Sequence, residues 1–251
     1  MNTLRTGFDT ERFRKECLAR GDLAQLAKTY DGTFSEIQNG NSPQFWEAKF
    51  VDTESETFPM AQDRNQTIVS LLQPNTKVLN LGSGKGFLEA LVWQKFANKI
   101  DFTGTDFTKR SLARLAKLYP NYNFLHANLL QLPFKKKSFD CACLIEVLEH
   151  ISASQTFGVL SELHRVVQQN GRVFLSVPIN EDLEEMMPHN PNEHVRVYSE
   201  ELLRYELETA GFSVEKVYRF SAFNSLYRLK KIVNQVLNLR QPNNLLLVLR
   251  K

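Results

Sequence analysis

The stretch KVLNLGSGKGFLEALV, residues 77–92, decides how this chain folds. Apolar residues up to Leu81 predict a short buried strand. The segment GSGKG, residues 82–86, then turns the chain, and the apolar spacing over 87–96 predicts a helix. Together these form half of a nucleotide-binding βαβ unit, in which glycines let backbone approach a ligand and the helix start offers unpaired N–H groups.

The spacing of these glycines narrows the kind of ligand. A dinucleotide site has the pattern G-x-G-x-x-G, which would need its third glycine at Phe87. Gly82, Gly84 and Gly86 instead give G-x-G-x-G, which suits a smaller ligand whose polar tail lies along the loop. Such a ligand has no pyrophosphate to be held.

An acidic residue lies about 20 positions beyond the glycine loop, the spacing found in nucleoside sites. Residues 100–105 predict a second strand, and Asp106 follows it. A carboxylate there can accept hydrogen bonds from both ribose hydroxyls and would repel a 2′-phosphate. Asp106 or Thr108 can also cap the helix predicted over 109–118, and the two roles are compatible.

The sequence VLNLGSGKG resembles motif I of the class I S-adenosylmethionine-dependent methyltransferases, and the likeness continues over residues 68–220. The resemblance implies S-adenosylmethionine as cofactor. The residues expected to hold it are Asn80, Gly82, Ser83, Gly84, Gly86, Asp106, Phe107, Asn128, Leu129 and Glu146.

Several of these positions carry a specific expectation. The family usually has Asp or Glu where this chain has Asn80, which weakens a hydrogen bond near the methionine end of the cofactor. Phe107 can cover one face of the adenine. The family commonly has Asp in place of Asn128, whose amide oxygen can still accept from the adenine amino group. The Leu129 N–H would contact an adenine ring nitrogen.

Composition bounds the class of protein. The chain has 251 residues, 42% of them hydrophobic and 24% charged, with a net charge of +3. These values are ordinary for a globular protein, and the small charge without a long basic stripe argues against nucleic acid as the main partner. The N-terminus lacks the apolar core of a signal peptide, no apolar run approaches the ~20 residues of a membrane helix, and the cysteines form no framework. We expect a cytoplasmic protein.

A second group of ionisable residues follows the strand predicted over 138–145. Glu146-x-x-Glu149-His150 lies at the carboxyl end of the central strands, where open α/β sheets bind ligands. A hydroxyl acceptor must lose a proton, so His150 and the downstream His194 are candidate catalytic bases. The alternative is that Glu149 and His150 cap or orient the next helix.

The same segment resembles the divalent-ion site of two methyltransferase groups. One comprises the ubiquinone-biosynthesis O-methyltransferases, and the other methylates the 2′-hydroxyl at the 3′ end of small RNAs. The resemblance implies Mg²⁺ or Mn²⁺ held by Glu146, Glu149, His150 and His194, with His189 as a spare ligand. The alternative is a site without an ion, in which His194 serves as a base or as a lid contact.

The flanks of the domain carry two further expectations. We expect residues 1–60 to form an N-terminal helical lid, and the domain proper to cover 61–251 with a helical insertion at 221–240. The aromatic cluster around Trp46 either covers the cofactor or packs on the sheet. Residues 226–240 have an apolar face opposite basic residues, which packs on the domain or a partner, or contacts a membrane surface peripherally.

These observations predict a doubly wound α/β domain with a seven-stranded, mostly parallel sheet, the Rossmann-like methyltransferase fold. In the family the last strand is antiparallel and lies between the fifth and sixth. The expected function is methyl transfer to the hydroxyl of a small molecule, with phenolic and lipid-like compounds as the candidate acceptors. Two alternatives stay open: an RNA ribose as acceptor, or a cofactor-binding interaction subunit without catalysis.

Overall fold

A computed structural model of the chain describes residues 40–50, 58–179, 194–223, 225–237 and 239–251. Most of the N-terminal lid predicted over residues 1–60 and the spare ligand His189 lie outside these ranges. The described helices are α1 Pro43–Lys49, α2 Pro59–Leu71, α3 Phe87–Phe96, α4 Lys109–Leu118, α5 Ala153–Val166, α6 Glu200–Thr209 and α7 Tyr227–Leu237. The strands are β1 Lys77–Leu81, β2 Asp101–Asp106, β3 Asn123–His126, β4 Phe139–Ile145, β5 Val167–Pro178, β6 Ser213–Phe220 and β7 Asn244–Arg250.

The strands form one seven-stranded sheet in the order β3-β2-β1-β4-β5-β7-β6. β7 is antiparallel to both of its neighbours, and the other pairs are parallel. The predicted fold class is therefore confirmed. The strand order reverses between β1 and β4, and the crevice at the carboxyl ends of these two strands is where such sheets bind ligands.

Two apolar layers cover the two faces of the sheet. Alternate residues of β1 belong to different layers: Leu79 packs in one and Val78 in the other. Cys141 and Cys143 of β4 lie in the second layer, and burial raises the pKa of both thiols. Cys141 and Cys143 therefore act as small buried hydrophobes.

The start of β5 differs from the sequence prediction. In the sequence, the dipeptide Asn170-Gly171 predicts a turn between the preceding helix and the fifth strand, but β5 already begins at Val167. The pairing with β4 shifts between Phe139 and Cys141, and Asn170 has φ +62°. The turn residues therefore form an irregularity inside the strand rather than its boundary.

The carboxyl edge of the sheet also carries the insertion between β6 and β7. Asn244, the first residue of β7, pairs with Phe220 at the end of β6 and with Pro178 at the end of β5. Because β5 is parallel to β4, the residues that connect β6 to β7 leave the sheet at the ligand-binding edge. Within the ranges described, no helix is long and apolar enough to cross a membrane.

Candidate cofactor and acceptor site

The glycine loop between β1 and α3 has an open centre. Gly84 has φ +50°, and a Cβ built on it would meet no heavy atom within 4 Å. Gly86 has φ +81°, and its Cβ would collide with the Leu115 side chain of α4. A side chain at Gly86 would have to displace Leu115, whereas Gly84 leaves space beside the loop that a ligand can use.

Asp106 at the end of β2 organises this loop. Its carboxylate accepts a hydrogen bond from Gly84 N at 2.7 Å and another from Thr108 N at 2.8 Å. A carboxylate offers about four lone-pair sites, so these bonds leave capacity for the hydroxyls of a ribose. The start of α4 is capped by Glu47 of α1 and not by Asp106 or Thr108. Glu47 Oε1 accepts hydrogen bonds from the backbone N–H groups of Lys109 and Arg110.

A buried carboxyl group that the sequence analysis did not identify lies at the base of the loop. Glu89, in the first turn of α3, accepts from Asn80 Nδ2 at 2.8 Å and is fully buried. Burial raises its pKa from 4.5 to about 7, although hydrogen bonds from Asn80 and Ser83 act in the opposite direction. Asn80 Oδ1 is buried with no hydrogen-bond partner among the described residues.

These features fit the proposed cofactor. Positive-φ glycines provide close backbone approach, Asp106 provides a ribose acceptor, and Asn80 Oδ1 is an acceptor that a ligand donor such as an ammonium group could satisfy. The hydrogen bond between Asn80 and Glu89 also brings a carboxyl group next to position 80, where the family that the sequence resembles usually has Asp or Glu.

The expected adenine contacts lie next to the same edge. Phe107 is half-buried beside Asp106. Asn128 is exposed, and its Oδ1 accepts from Leu130 N at 2.9 Å, which leaves this oxygen a second lone pair. The Leu129 side chain is buried in the core, so only its backbone could contact a ligand.

The chain turns sharply at the end of β4. Glu146 has φ +54°, a left-handed backbone conformation that residues other than glycine rarely adopt, and residues Leu148–His150 form a 3₁₀ turn. The Glu146 carboxylate lies 3.0 Å from Arg64 Nη1 of α2 and accepts from Asn244 Nδ2 at 2.9 Å. It also accepts from Ser176 Oγ at 2.8 Å. Glu146 therefore joins α2 to the ends of the central strands.

The other three predicted metal ligands come together. Glu149, His150 and His194 each offer one ligand atom, and these atoms lie within 4.8 Å of one another. Val195 N donates to the Glu149 carbonyl at 2.9 Å, which fixes the segment carrying His194 against the turn. We call this group the Glu-His-His cluster. Glu146 does not belong to it, because the left-handed turn leaves its carboxylate in the network with Arg64.

Helix α1 reaches the same edge. The Trp46 ring packs edge-to-face on the His150 ring with centroids 5.0 Å apart, and the His150 and His194 rings are 4.9 Å apart. Since Glu47 contacts the start of α4, α1 extends from the end of β2 to the end of β4. The aromatic cluster thus contacts the candidate site. The part of the predicted lid before residue 40 lies outside the described ranges.

Comparisons with known proteins agree with this geometry. Residues 79–175 match the family described as "Methyltransferase domain". The chain is 32% identical over 140 residues to a probable S-adenosylmethionine-dependent methyltransferase of Mycolicibacterium smegmatis, an alignment that covers 55% of this chain and 52% of that protein. The match thus spans about half the length of that relative.

Solved structures share the fold at low sequence identity. The 1,6-didemethyltoxoflavin-N1-methyltransferase of Burkholderia thailandensis, solved with S-adenosylhomocysteine, has a TM-score of 0.58 at 18% identity, covering 77% of this chain and 78% of its own. The [4+2]-cyclase SpnF has a TM-score of 0.59 at 17% identity, covering 90% of this chain and 95% of its own. The motif I loop, the sheet order and the match of residues 79–175 together support the class I S-adenosylmethionine-dependent methyltransferase family for this chain.

Proposed function

We propose that the protein transfers a methyl group from S-adenosylmethionine to a small-molecule hydroxyl. The observation that carries this proposal is the position of the Glu-His-His cluster at the same sheet edge as the open glycine loop. The loop, Asp106 and the Asn80–Glu89 pair would hold the cofactor. When bound, S-adenosylmethionine supplies a methyl group bonded to a sulfonium sulfur, and this sulfur is the leaving atom of an in-line displacement.

The role of the protein in such a reaction is mainly alignment and proton removal. As the acceptor oxygen forms its bond to the methyl carbon, the S–C bond breaks and the electron pair stays on sulfur. The hydroxyl proton must leave, and the imidazole of His150 or His194 would accept it. Trp46, packed on His150, would help to exclude water from the acceptor.

The Glu-His-His cluster also fits a divalent ion. Two imidazoles and one carboxylate form a donor set that suits first-row transition ions, whereas Mg²⁺ prefers oxygen ligands. Of the two ions that the resemblance implies, Mg²⁺ and Mn²⁺, the cluster without Glu146 therefore favours Mn²⁺, and Fe²⁺ or Zn²⁺ would suit it as well. An ion there would polarise the acceptor oxygen and lower the pKa of its hydroxyl.

Chelation tests the ion. The purified protein is assayed for transfer of labelled methyl groups to a panel of phenols and other small hydroxyl compounds, before and after treatment with a chelator. With an ion in the cluster, transfer falls at least tenfold on chelation and returns with Mn²⁺. Glu149→Ala should remove this dependence while S-adenosylhomocysteine affinity stays within about threefold. Full turnover in excess chelator would reject the ion and leave a histidine as base.

Two other functions make different predictions in the same assay. An RNA ribose methyltransferase would label RNA and not the small hydroxyl compounds, although the net charge of +3 gives little support for RNA binding. A cofactor-binding subunit would bind S-adenosylhomocysteine and label nothing. The cyclase SpnF illustrates that this fold supports chemistry outside methyl transfer.

A further inference from the structure

Helix α7 is held to the protein by its polar side. Asp63 of α2 accepts a hydrogen bond from Tyr227 Oη at 2.9 Å and pairs with Lys231 Nζ at 2.6 Å. Asn234, on the same side of the helix, donates from Nδ2 to Ser221 Oγ at 3.3 Å. No residue of α7 is buried. A helix of a globular domain normally does the reverse, with its apolar side against the core.

The apolar side of α7 is exposed. The residues that form it span roughly 140° of the helix circumference. They are Leu226, Leu229, Ile232, Val233, Val236 and Leu237, each at least 38% exposed, and we call them the apolar stripe. Leu239, just beyond the helix, is 73% exposed.

The expected packing of this stripe on its own domain is not found in the part of the chain that the structure describes. An open cleft of about 840 Å³ lies between α7 and α2, and Leu229 and Ile232 line it opposite Gln62 and Gln66. A contiguous exposed apolar surface of this kind marks a binding surface. What covers the stripe must therefore be something other than the described core.

Charge identifies the kind of surface that covers it. Residues 226–240 contain Arg228, Lys230, Lys231 and Arg240 and no Asp or Glu. On the helix, Arg228 and Lys230 border the apolar stripe on opposite sides, about 40° and 20° beyond its edges. Lys231 is neutralised by Asp63, so the outward charge comes from the bordering residues.

We propose that α7 lies in the surface of an anionic lipid bilayer. An apolar stripe bordered by basic residues is the pattern of interfacial helices, in which the apolar side enters the acyl boundary while Lys and Arg contact acidic headgroups. The insertion that carries α7 leaves the sheet at the ligand-binding edge. This surface is independent of the reaction proposed above.

Vesicle co-sedimentation of the full chain tests the proposal. The probes are vesicles of phosphatidylcholine alone and vesicles with about 30% phosphatidylglycerol. We expect at least tenfold stronger partitioning onto the anionic vesicles, and a several-fold loss in 0.5 M salt, where charges are screened within a few ångströms. Ile232→Asp with Val236→Asp should reduce partitioning at least tenfold.

The matched control also introduces two aspartates, but it replaces exposed apolar residues on two other helices. Leu118→Asp with Phe157→Asp changes side chains that are 47% and 40% exposed on α4 and α5, and partitioning should stay within twofold. Thermal melting of both double variants checks that they fold. Equal partitioning of wild type and the α7 variant would overturn the proposal. So would a wild-type dimer, seen by light scattering, that the α7 variant converts to monomer without any binding to vesicles.

Discussion

Glu89 is a buried carboxyl group, and its titration should make the free energy of unfolding depend on pH. In the unfolded chain it releases its proton near pH 4.5, whereas the folded protein retains it up to about pH 7. The contribution of Glu89 to the free energy of unfolding is therefore fully present below pH 4.5 and is lost as the pH rises through 7, by about 3 kcal/mol in all.

Glu89→Gln removes this titration and keeps an oxygen for the Asn80 hydrogen bond. Relative to wild type, we expect the variant to gain stability between pH 5 and pH 8, by about 1–3 kcal/mol in urea unfolding. Glu208→Gln, on the exposed side of α6, is the control. Its curve of unfolding free energy against pH should run parallel to that of the wild type. If the Glu89→Gln curve also ran parallel to that of the wild type, the folded protein would not hold the Glu89 carboxyl group protonated.

Gly84 and Gly86 offer a comparison at the same loop. Both have positive φ, so alanine costs roughly 1–2 kcal/mol of backbone strain at either position. Only at Gly86 does the new methyl group collide with Leu115. We expect Gly86→Ala to lose clearly more stability, and Gly84→Ala to lose at least tenfold in S-adenosylhomocysteine affinity by calorimetry. Unchanged affinity in Gly84→Ala would show that the ligand does not use the open space.

At the scale of elements, a buried ion pair holds the segment that carries His194. Arg196 Nη2 lies 2.6 Å from Glu206 Oε1 of α6, and Arg196 Nη1 donates to Thr156 Oγ1 of α5 at 2.7 Å. Arg196 is fully buried. Loss of one partner from such a pair leaves an uncompensated charge in the core, which costs about 3–5 kcal/mol.

Glu206→Ala should therefore lower the free energy of unfolding by that amount. Glu200→Gln is the control on the same helix, because Glu200 pairs with Arg219, whose side chain is 53% exposed, and such pairs contribute about 0–1 kcal/mol. Denaturant unfolding of both variants measures the difference. Equal, small losses would show that the Arg196–Glu206 pair does not support this segment.

Helix α1 is the element through which a lid would act. Trp46 contacts His150, while Trp93 of α3 packs on Tyr122 in the body of the domain. In a Trp93→Phe variant, emission reports Trp46 alone, and we expect it to change when S-adenosylhomocysteine binds. Trp46→Phe, which retains Trp93, should respond far less. Identical emission with and without ligand would contradict a moving lid.

At the scale of the whole molecule, the sequence predicted what local pattern controls. The helices over 87–96 and 109–118 have the predicted bounds, because apolar periodicity and glycine turns are local signals. The prediction of where β5 begins was wrong, because the conformation of Asn170-Gly171 depends on the pairing of β5 with β4. Turn residues do not distinguish a loop from an irregular strand.

The site residues that the sequence missed or misplaced all depend on long-range contacts. Glu89 is significant only because folding buries it beside Asn80, and Glu47 only because α1 lies at the start of α4. Glu146 shares a short motif with Glu149, yet Arg64 from α2 and Asn244 from β7 hold it apart from the cluster. Spacing along the chain gave no signal of these partners.

Titration calorimetry with S-adenosylhomocysteine and with NAD⁺ tests the central claim most directly. We expect binding of S-adenosylhomocysteine and none of NAD⁺, because the loop lacks the third glycine of a dinucleotide site. Asp106→Ala, once its melting curve shows that it folds, should weaken that binding roughly 10- to 150-fold through loss of charged hydrogen bonds. NAD⁺ binding with no response to S-adenosylhomocysteine would contradict the account.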